Sequence, residues 1–308
     1  MSAPARTLPI AEPPLDHAPI TGWRSTIGAY ISLTKPRIIE LLLVTTVPAM
    51  IVAHDGIPSL WLILATLIGG SLAAGGANTI NCYIDRDIDA IMRRTQRRPI
   101  PAGTIPAERA LAFGIALSVI SFVFMTLAIN LLSAALAMSA ILFYVFIYTL
   151  WLKRSTVENI VIGGAAGSIP PLCGWAAVTG NLDAAPLIMF AIIFLWTPPH
   201  FWALAISYAN DYASAGVPML PVEHAPQARR RSLVYAAVTV AVSLTLFLTG
   251  SVGIIYLGLA TFFGALFIWL AWKQLKSPTT RAAMLLFRYS TTYLALIFGA
   301  MVVDRLVY

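Results

Sequence analysis

The stretch Leu60-Trp-Leu-Ile-Leu-Ala-Thr-Leu-Ile-Gly-Gly-Ser-Leu-Ala-Ala-Gly-Gly-Ala-Asn-Thr-Ile80 runs straight into Asn81-Cys-Tyr-Ile-Asp85-Arg-Asp87-Ile-Asp89. No charged residue lies between Leu60 and Ile84, and then three carboxylates follow in five positions. About 20 apolar residues suffice for a helix to cross a bilayer, so residues 60–80 predict a span that ends in an acidic edge. If the helix continues outward, positions 81, 85 and 89 turn by only about 40° per step and rise about 6 Å each time. Asn81, Asp85 and Asp89 then line one stripe, and Asp87 points roughly the opposite way.

The whole chain repeats this pattern. Of its 308 residues 59% are hydrophobic and 11% charged, with 20 Lys plus Arg against 13 Asp plus Glu and a net charge of +7. A soluble domain carries roughly 25% charged residues. A water-soluble enzyme, a disordered chain and a basic nucleic-acid binder are excluded, and the charges must be read against a membrane. Apolar runs predict nine spans, at 38–54, 60–80, 110–129, 132–150, 157–179, 186–208, 233–251, 254–272 and 284–303. The fold class is therefore all-α, a polytopic membrane protein of nine transmembrane helices. Residues 1–30 are expected as a disordered cytoplasmic tail and 31–308 as one intramembrane domain.

Placed on nine spans, every basic residue except Arg305 falls on one side. By the positive-inside rule that side is cytoplasmic, with the N-terminus inside and the C-terminus outside. The first residues hold several prolines but neither an apolar run nor an arginine-rich leader, which favours a bacterial plasma membrane over an organelle. Connections on the opposite side are short, so the chemistry belongs to the cytoplasmic face or a cavity opening from it. Cys82 and Cys173 form no CxxC pair and read as small buried residues.

The acids concentrate in two cytoplasmic loops, with Asp85, Asp87 and Asp89 after the second span and Asp211 and Glu223 after the sixth. Their spacing hints at two related four-helix halves plus one further helix. Oxygen ligands on the 81/85/89 stripe suit a hard cation such as Mg2+, which takes one or two carboxylates together with substrate phosphates. Arg94 and Arg98, one helical turn apart, suit the same phosphates. The alternative is an acid–base helix end whose Asp and Arg side chains pair in solvent.

Asn81, Asp85, Ile88, Asp89, Met92, Arg94, Thr95, Arg98 and Gly103 fill the motif of the UbiA-type intramembrane prenyltransferases, and the chain resembles that family from about residue 30 to 300. Leu33-Thr-Lys-Pro-Arg37, Leu152-Lys-Arg-Ser-Thr156, Ile169-Pro-Pro-Leu172, Thr197-Pro-Pro-His-Phe-Trp202 and Gly216-Val-Pro-Met-Leu-Pro221 resemble its haem-farnesylating branch. The resemblance implies helices around a central cavity and the reaction of farnesyl diphosphate, haem B and water to haem O and diphosphate. It further implies a downstream haem-modifying enzyme or oxidase assembly factor as partner. The wider family has a paired Asp-x-x-x-Asp in its second acidic motif; here Ala215 follows Asp211 at that distance, so a single carboxylate carries over.

On this footing Asn81, Asp85, Asp89 and Asp211 are expected to hold Mg2+, with Lys35, Arg37, Arg94 and Arg98 on the diphosphate. Lys153 and Arg154 either set topology or meet haem propionates, and Tyr212 assists Asp211. His200 lies inside the sixth span, eleven residues before Asp211, and on a continuous helix it faces the same cavity. Two readings of it stand: a ligand to haem iron, or a ring bonded to a neighbouring helix. His17 and His54 read as solvated, His224 as a loop residue near the mouth, and Arg229 to Arg231 as a lipid-headgroup anchor. The rival readings are a prenyltransferase acting on a quinone or chlorophyll-type acceptor, and a secondary transporter. Transporters place ionisable groups at mid-membrane; here no Asp, Glu, Lys or Arg lies near a span centre.

Overall fold

The structure, a computed structural model, describes residues 22–307, without the side chains of residues 38 and 40–43. The expected tail therefore lies outside the described residues as far as position 21. Residues 23–30 of that expected segment are described, and they are helical. The helix α1 (Trp23–Leu33) carries Trp23, Ile27 and Ile31 on an exposed side and buries Ala29 and Leu33. Lys35 then takes a left-handed conformation (φ 54°) that turns the chain into α2 (Pro36–His54), with Pro36 at the first helical position where its missing N–H costs nothing.

The uncharged run becomes α3 (Leu60–Ile84), started by Ser59, whose hydroxyl accepts from the Leu62 amide. Asp85 joins it to the short α4 (Arg86–Ile91) without losing the helical path, because Asp85 N donates to Asn81 O at 2.9 Å and Asp89 N to Asp85 O at 2.7 Å. Next come α5 (Ala107–Ala128) and α6 (Leu131–Ser155), the latter containing a π-helical stretch over Phe143–Leu152. The expected span 157–179 is broken in two, α7 (Asn159–Gly167) and α8 (Pro170–Thr179), the proline pair at 170–171 stopping one helix and starting the next.

The second half contains α9 (Ala184–Ser207), α10 (Ala209–Ser214), α11 (Leu220–Glu223), α12 (Ala225–Thr245), α13 (Ile254–Lys276) and α14 (Thr280–Val307). Helix α12 begins eight residues before the expected span, so Arg229 to Arg231 sit on its first turns rather than in a loop. Among the described residues eight helices are long and apolar enough to cross a membrane. The remaining expected span falls on α2, whose apolar stretch Val44–His54 is shorter.

Packing between spans rests on close approach where glycine allows it. A Cβ on Gly76 of α3 would stand 2.9 Å from Gly114 O of α5, and one on Gly114 would stand 2.8 Å from Ile80 Cγ1. Van der Waals packing of close backbones holds membrane helices together, because burial from lipid gives no hydrophobic gain. One core gathers Trp196, Tyr256, Phe267, Tyr293 and Phe298 from α9, α13 and α14, and a second gathers Ala73, Met125, Ala137 and Val145 from α3, α5 and α6. Between them lies a cavity of about 310 Å³. At the end of the bundle away from Asp85, Arg305 pairs with Asp55 at 2.7 Å, and Asp304 accepts from the amides of Gly253 and Tyr256 at the start of α13.

Candidate active site

The 81/85/89 stripe forms as the spacing predicts. Asn81, Asp85 and Asp89 are 3%, 0% and 2% exposed, and Asp87 lies on the outer side of the turn. Buried carboxylates are costly unless paired, and each has a cation. Lys153 donates to Asp85 Oδ2, Arg154 Nη2 stands 3.7 Å from Asp85 Oδ1, and Arg98 pairs with Asp89 at 2.6 Å. Lys35 Nζ donates to Asn81 Oδ1 at 2.7 Å, and burial holds the Lys35 ammonium below the usual lysine range. On the exposed side Arg154 grips both oxygens of Asp87 at 2.7 Å, which holds that carboxyl down at about 2.

Several expected partners fall elsewhere. Lys153 and Arg154 meet the acids of the stripe. Arg94 and Arg98 are not a turn apart on a helix, because α4 ends at Ile91 and the chain continues in turns, with Thr95 Oγ1 donating to Asp89 O at 3.0 Å. Arg98 is spent on Asp89, while Arg94 is exposed with its guanidinium 5.5 Å from the Tyr208 ring. The Arg94 amide reaches Asp211 Oδ2 at 3.4 Å, so the loop of the first acidic motif touches the second motif across the mouth. Tyr212 packs with Ile88 and Met92 beneath that contact. Arg37 stands exposed in the first turn of α2.

Of the two readings of His200, the geometry matches the ring bonded to a neighbouring helix. Helix α9 ends at Ser207 and Tyr208 (φ −116°, ψ 25°) breaks the path to Asp211, so angles cannot be carried from one residue to the other. The His200 ring stacks on Trp196 at 4.2 Å, lies 4.6 Å from the Phe287 ring, and its Nδ1 is 2.7 Å from Ser290 Oγ. Trp196, Thr197 and Phe201, on the same turns of α9, line the cavity. His200 serves the α9–α14 contact.

Sequence reasoning missed the contribution of α6. Its π-helical stretch brings Thr149 onto Asn81, with Asn81 Nδ2 donating to Thr149 Oγ1 at 3.1 Å and to Asp85 Oδ2 at 2.8 Å. Tyr144 and Tyr148, stacked 5.4 Å apart, line the cavity together with Asn78. Below them the wall is apolar and small, with Gly70, Ala73 and Ala77 from α3 and Gly163 and Gly164 from α7. Asn78, three residues before Asn81 on α3, brings this largely apolar chamber next to the stripe.

Among the described residues no three His, Cys, Asp or Glu side chains form a ligand cluster. The stripe nevertheless fits a hard cation that shares its ligands with a substrate. Its donors are carboxylate and amide oxygens, and Asp85 Oδ1 is buried without a hydrogen-bond partner.

Residues 42–297 match the UbiA prenyltransferase family. Protoheme IX farnesyltransferase 1 of Saccharopolyspora erythraea is 53% identical over 94% of this chain and 94% of its own length. The protoheme IX farnesyltransferases of a Roseiflexus species and Chloroflexus aurantiacus are 52% and 51% identical over 94% and 92% of this chain, which spans only 54% and 49% of their lengths. The fold is similar to a digeranylgeranylglyceryl phosphate synthase (TM-score 0.77, 20% identity, 92% of this chain and 100% of that one). It is also similar to a UbiA homolog from Archaeoglobus fulgidus bound to DMAPP and Mg2+ (TM-score 0.63, 18% identity, 88% and 98%).

Proposed function

We infer the reaction from the premise that this chain belongs to the UbiA prenyltransferase family: it moves a farnesyl group from farnesyl diphosphate to a vinyl group of haem B, with addition of water, giving haem O and diphosphate. The observation that carries this is the buried Asn81–Asp85–Asp89 edge, ringed by Lys35, Lys153 and Arg98, next to a largely apolar cavity. The choice of haem as acceptor is supported by relatives about half identical that are named protoheme IX farnesyltransferases.

The C1–O bond of farnesyl diphosphate breaks and its electron pair leaves with diphosphate. The haem vinyl π pair attacks farnesyl C1. Water adds to the carbon left cationic and loses a proton, completing the hydroxyethylfarnesyl group. Lys35, Arg98 and Lys153, now paired with Asn81, Asp89 and Asp85, lie at the same edge and stabilise charge on the departing diphosphate by turning from those partners toward it. Asn81, Asp85 and Asp89, with Asp211 of the second acidic motif, are the residues that would hold Mg2+, which when bound would add charge neutralisation for the leaving group. The apolar chamber holds the isoprenoid chain, and its walls keep water from the allylic cation until the vinyl carbon has bonded. Arg94, exposed over Tyr208, and Arg37 are placed to meet anionic groups arriving from solvent.

The charge asymmetry of the loops supports a cytoplasmic site and N-terminus, and the reading takes the membrane to be a bacterial plasma membrane. There the product would pass to a haem-modifying enzyme or an oxidase assembly factor. The reading gives His200 a packing role, supported by its contacts with Ser290 and Phe287 of α14. The test offers membranes containing the protein farnesyl diphosphate and Mg2+ with either haem B or an aromatic quinone precursor. Farnesylation of haem alone is the expected result; farnesylation of the quinone precursor alone would assign the chain to another branch of the family.

A further inference from the structure

We propose that Thr149 is a positioning residue that holds the Asn81 amide with its oxygen turned toward the mouth of the site. The inference rests on the prenyl-transfer reading, in which that oxygen is a ligand, and goes beyond it by assigning work to a helix that carries no acidic motif.

Thr149 is fully buried, and its hydroxyl has one proton to give. That proton goes to the carbonyl of Tyr144 at 2.8 Å, five residues back along the π-helical stretch. Thr66, Thr79, Thr126, Thr197 and Thr239, in ordinary α-helical spans, each donate to the carbonyl four residues back. The wider turn at Thr149 leaves its lone pairs facing Asn81. A hydroxyl whose proton is committed offers Asn81 only an acceptor, and so does the Asp85 carboxylate. Both hydrogens of the Asn81 amide are thereby taken, by Thr149 Oγ1 at 3.1 Å and Asp85 Oδ2 at 2.8 Å. The amide oxygen must face the other way, where it accepts from Lys35 at 2.7 Å.

The two anchors are not equivalent once a cation is bound. Drawing Asp85 toward a cation weakens its acceptance from Asn81, and Thr149 is the partner that stays. Without it the amide can rotate and present N–H groups to the cation. Outer partners of metal ligands typically contribute about 10- to 100-fold in metal affinity.

The test uses purified full-length protein in detergent, with Mn2+ as the probe in the presence of inorganic diphosphate, free Mn2+ being followed by electron paramagnetic resonance. Thr149→Val keeps the shape and removes both hydrogen bonds; it should weaken Mn2+ binding about tenfold and raise the Mg2+ needed for half-maximal farnesyl transfer by a similar factor. Thr149→Ser should restore both to within about twofold of the parent. If Thr149→Val does not fold, Thr149→Ala serves in its place. Undiminished Mn2+ binding in the folded Val or Ala variant, or a Ser variant as impaired as it, would overturn the proposal. Absence of Mn2+ binding by the parent protein would overturn the metal reading and the inference together. A parent that binds Mn2+ but farnesylates no haem would overturn only the reaction.

Discussion

Lys153, near the end of α6, places its ammonium on the carboxylate of Asp85, at the junction of α3 and α4, in a spot from which solvent is excluded. The lysine neutralises a carboxylate that would otherwise be buried without a full ion-pair partner. Removing one partner of a buried ion pair strands the other, typically at a cost of about 3–5 kcal/mol. Lys153→Met should therefore lower thermal stability, with Arg154 at 3.7 Å compensating in part. Added Mg2+ and diphosphate should raise the melting temperature of the variant more than that of the parent. Equal shifts would separate Lys153 from the cation site.

Asp87 provides the contrast, two residues away and on the outer side. Arg154 holds its carboxyl at about 2, below the ordinary 3.8. A depressed folded value stabilises the protein above the unfolded value and loses that contribution as pH falls through 4 toward 2. The side chain is 61% exposed, so the effect is that of a surface pair, about 0–1 kcal/mol. Asp87→Asn should leave farnesyl transfer within a few-fold of the parent, and any difference in melting temperature should disappear between pH 4 and pH 2.

The difference between these two aspartates was legible in the sequence, because a four-residue period beside a two-residue offset fixes which side of a helix each occupies. The cations that meet them were not. Lys153 comes from a helix 68 positions further along, and the π-helical stretch that helps align it leaves no mark in an apolar run such as Phe143–Leu152. The angle from His200 to Asp211 was not legible for a related reason: a projection along a continuous helix fails where Tyr208 interrupts it. The tilt of Arg94 away from Arg98 likewise follows from α4 stopping at Ile91, which a run of polar residues does not announce.

His200→Ala should act on stability and not on haem. The substitution removes the stack on Trp196 and the hydrogen bond to Ser290, and loss of a buried hydrogen-bond partner costs about 1–3 kcal/mol. The absorption spectrum of bound haem B should be the same in the variant and the parent. A lost axial-ligand signature would return His200 to the iron.

Gly76→Ala tests whether the close contact of α3 with α5 positions the stripe. Its new methyl group would stand 2.4 Å from Ser118 Oγ and 2.9 Å from Gly114 O, so one helix must move. Overpacking of this kind costs about 1–3 kcal/mol. Because Asn81 lies five residues further along the same helix, the turnover rate should fall together with the melting temperature. Unchanged values of both would remove this contact from the account.

The central claim is that farnesyl transfer to haem takes place at the Asn81–Asp85–Asp89 edge. Its most direct test incubates membranes holding the parent protein or Asp85→Asn with haem B, farnesyl diphosphate and Mg2+, followed by mass analysis of the extracted haems. The parent should yield haem O, and the variant, present at equal level and folded in detergent, should yield none. A parent that forms no farnesylated haem beside an active control, or an Asp85→Asn protein that forms as much as the parent, would contradict it.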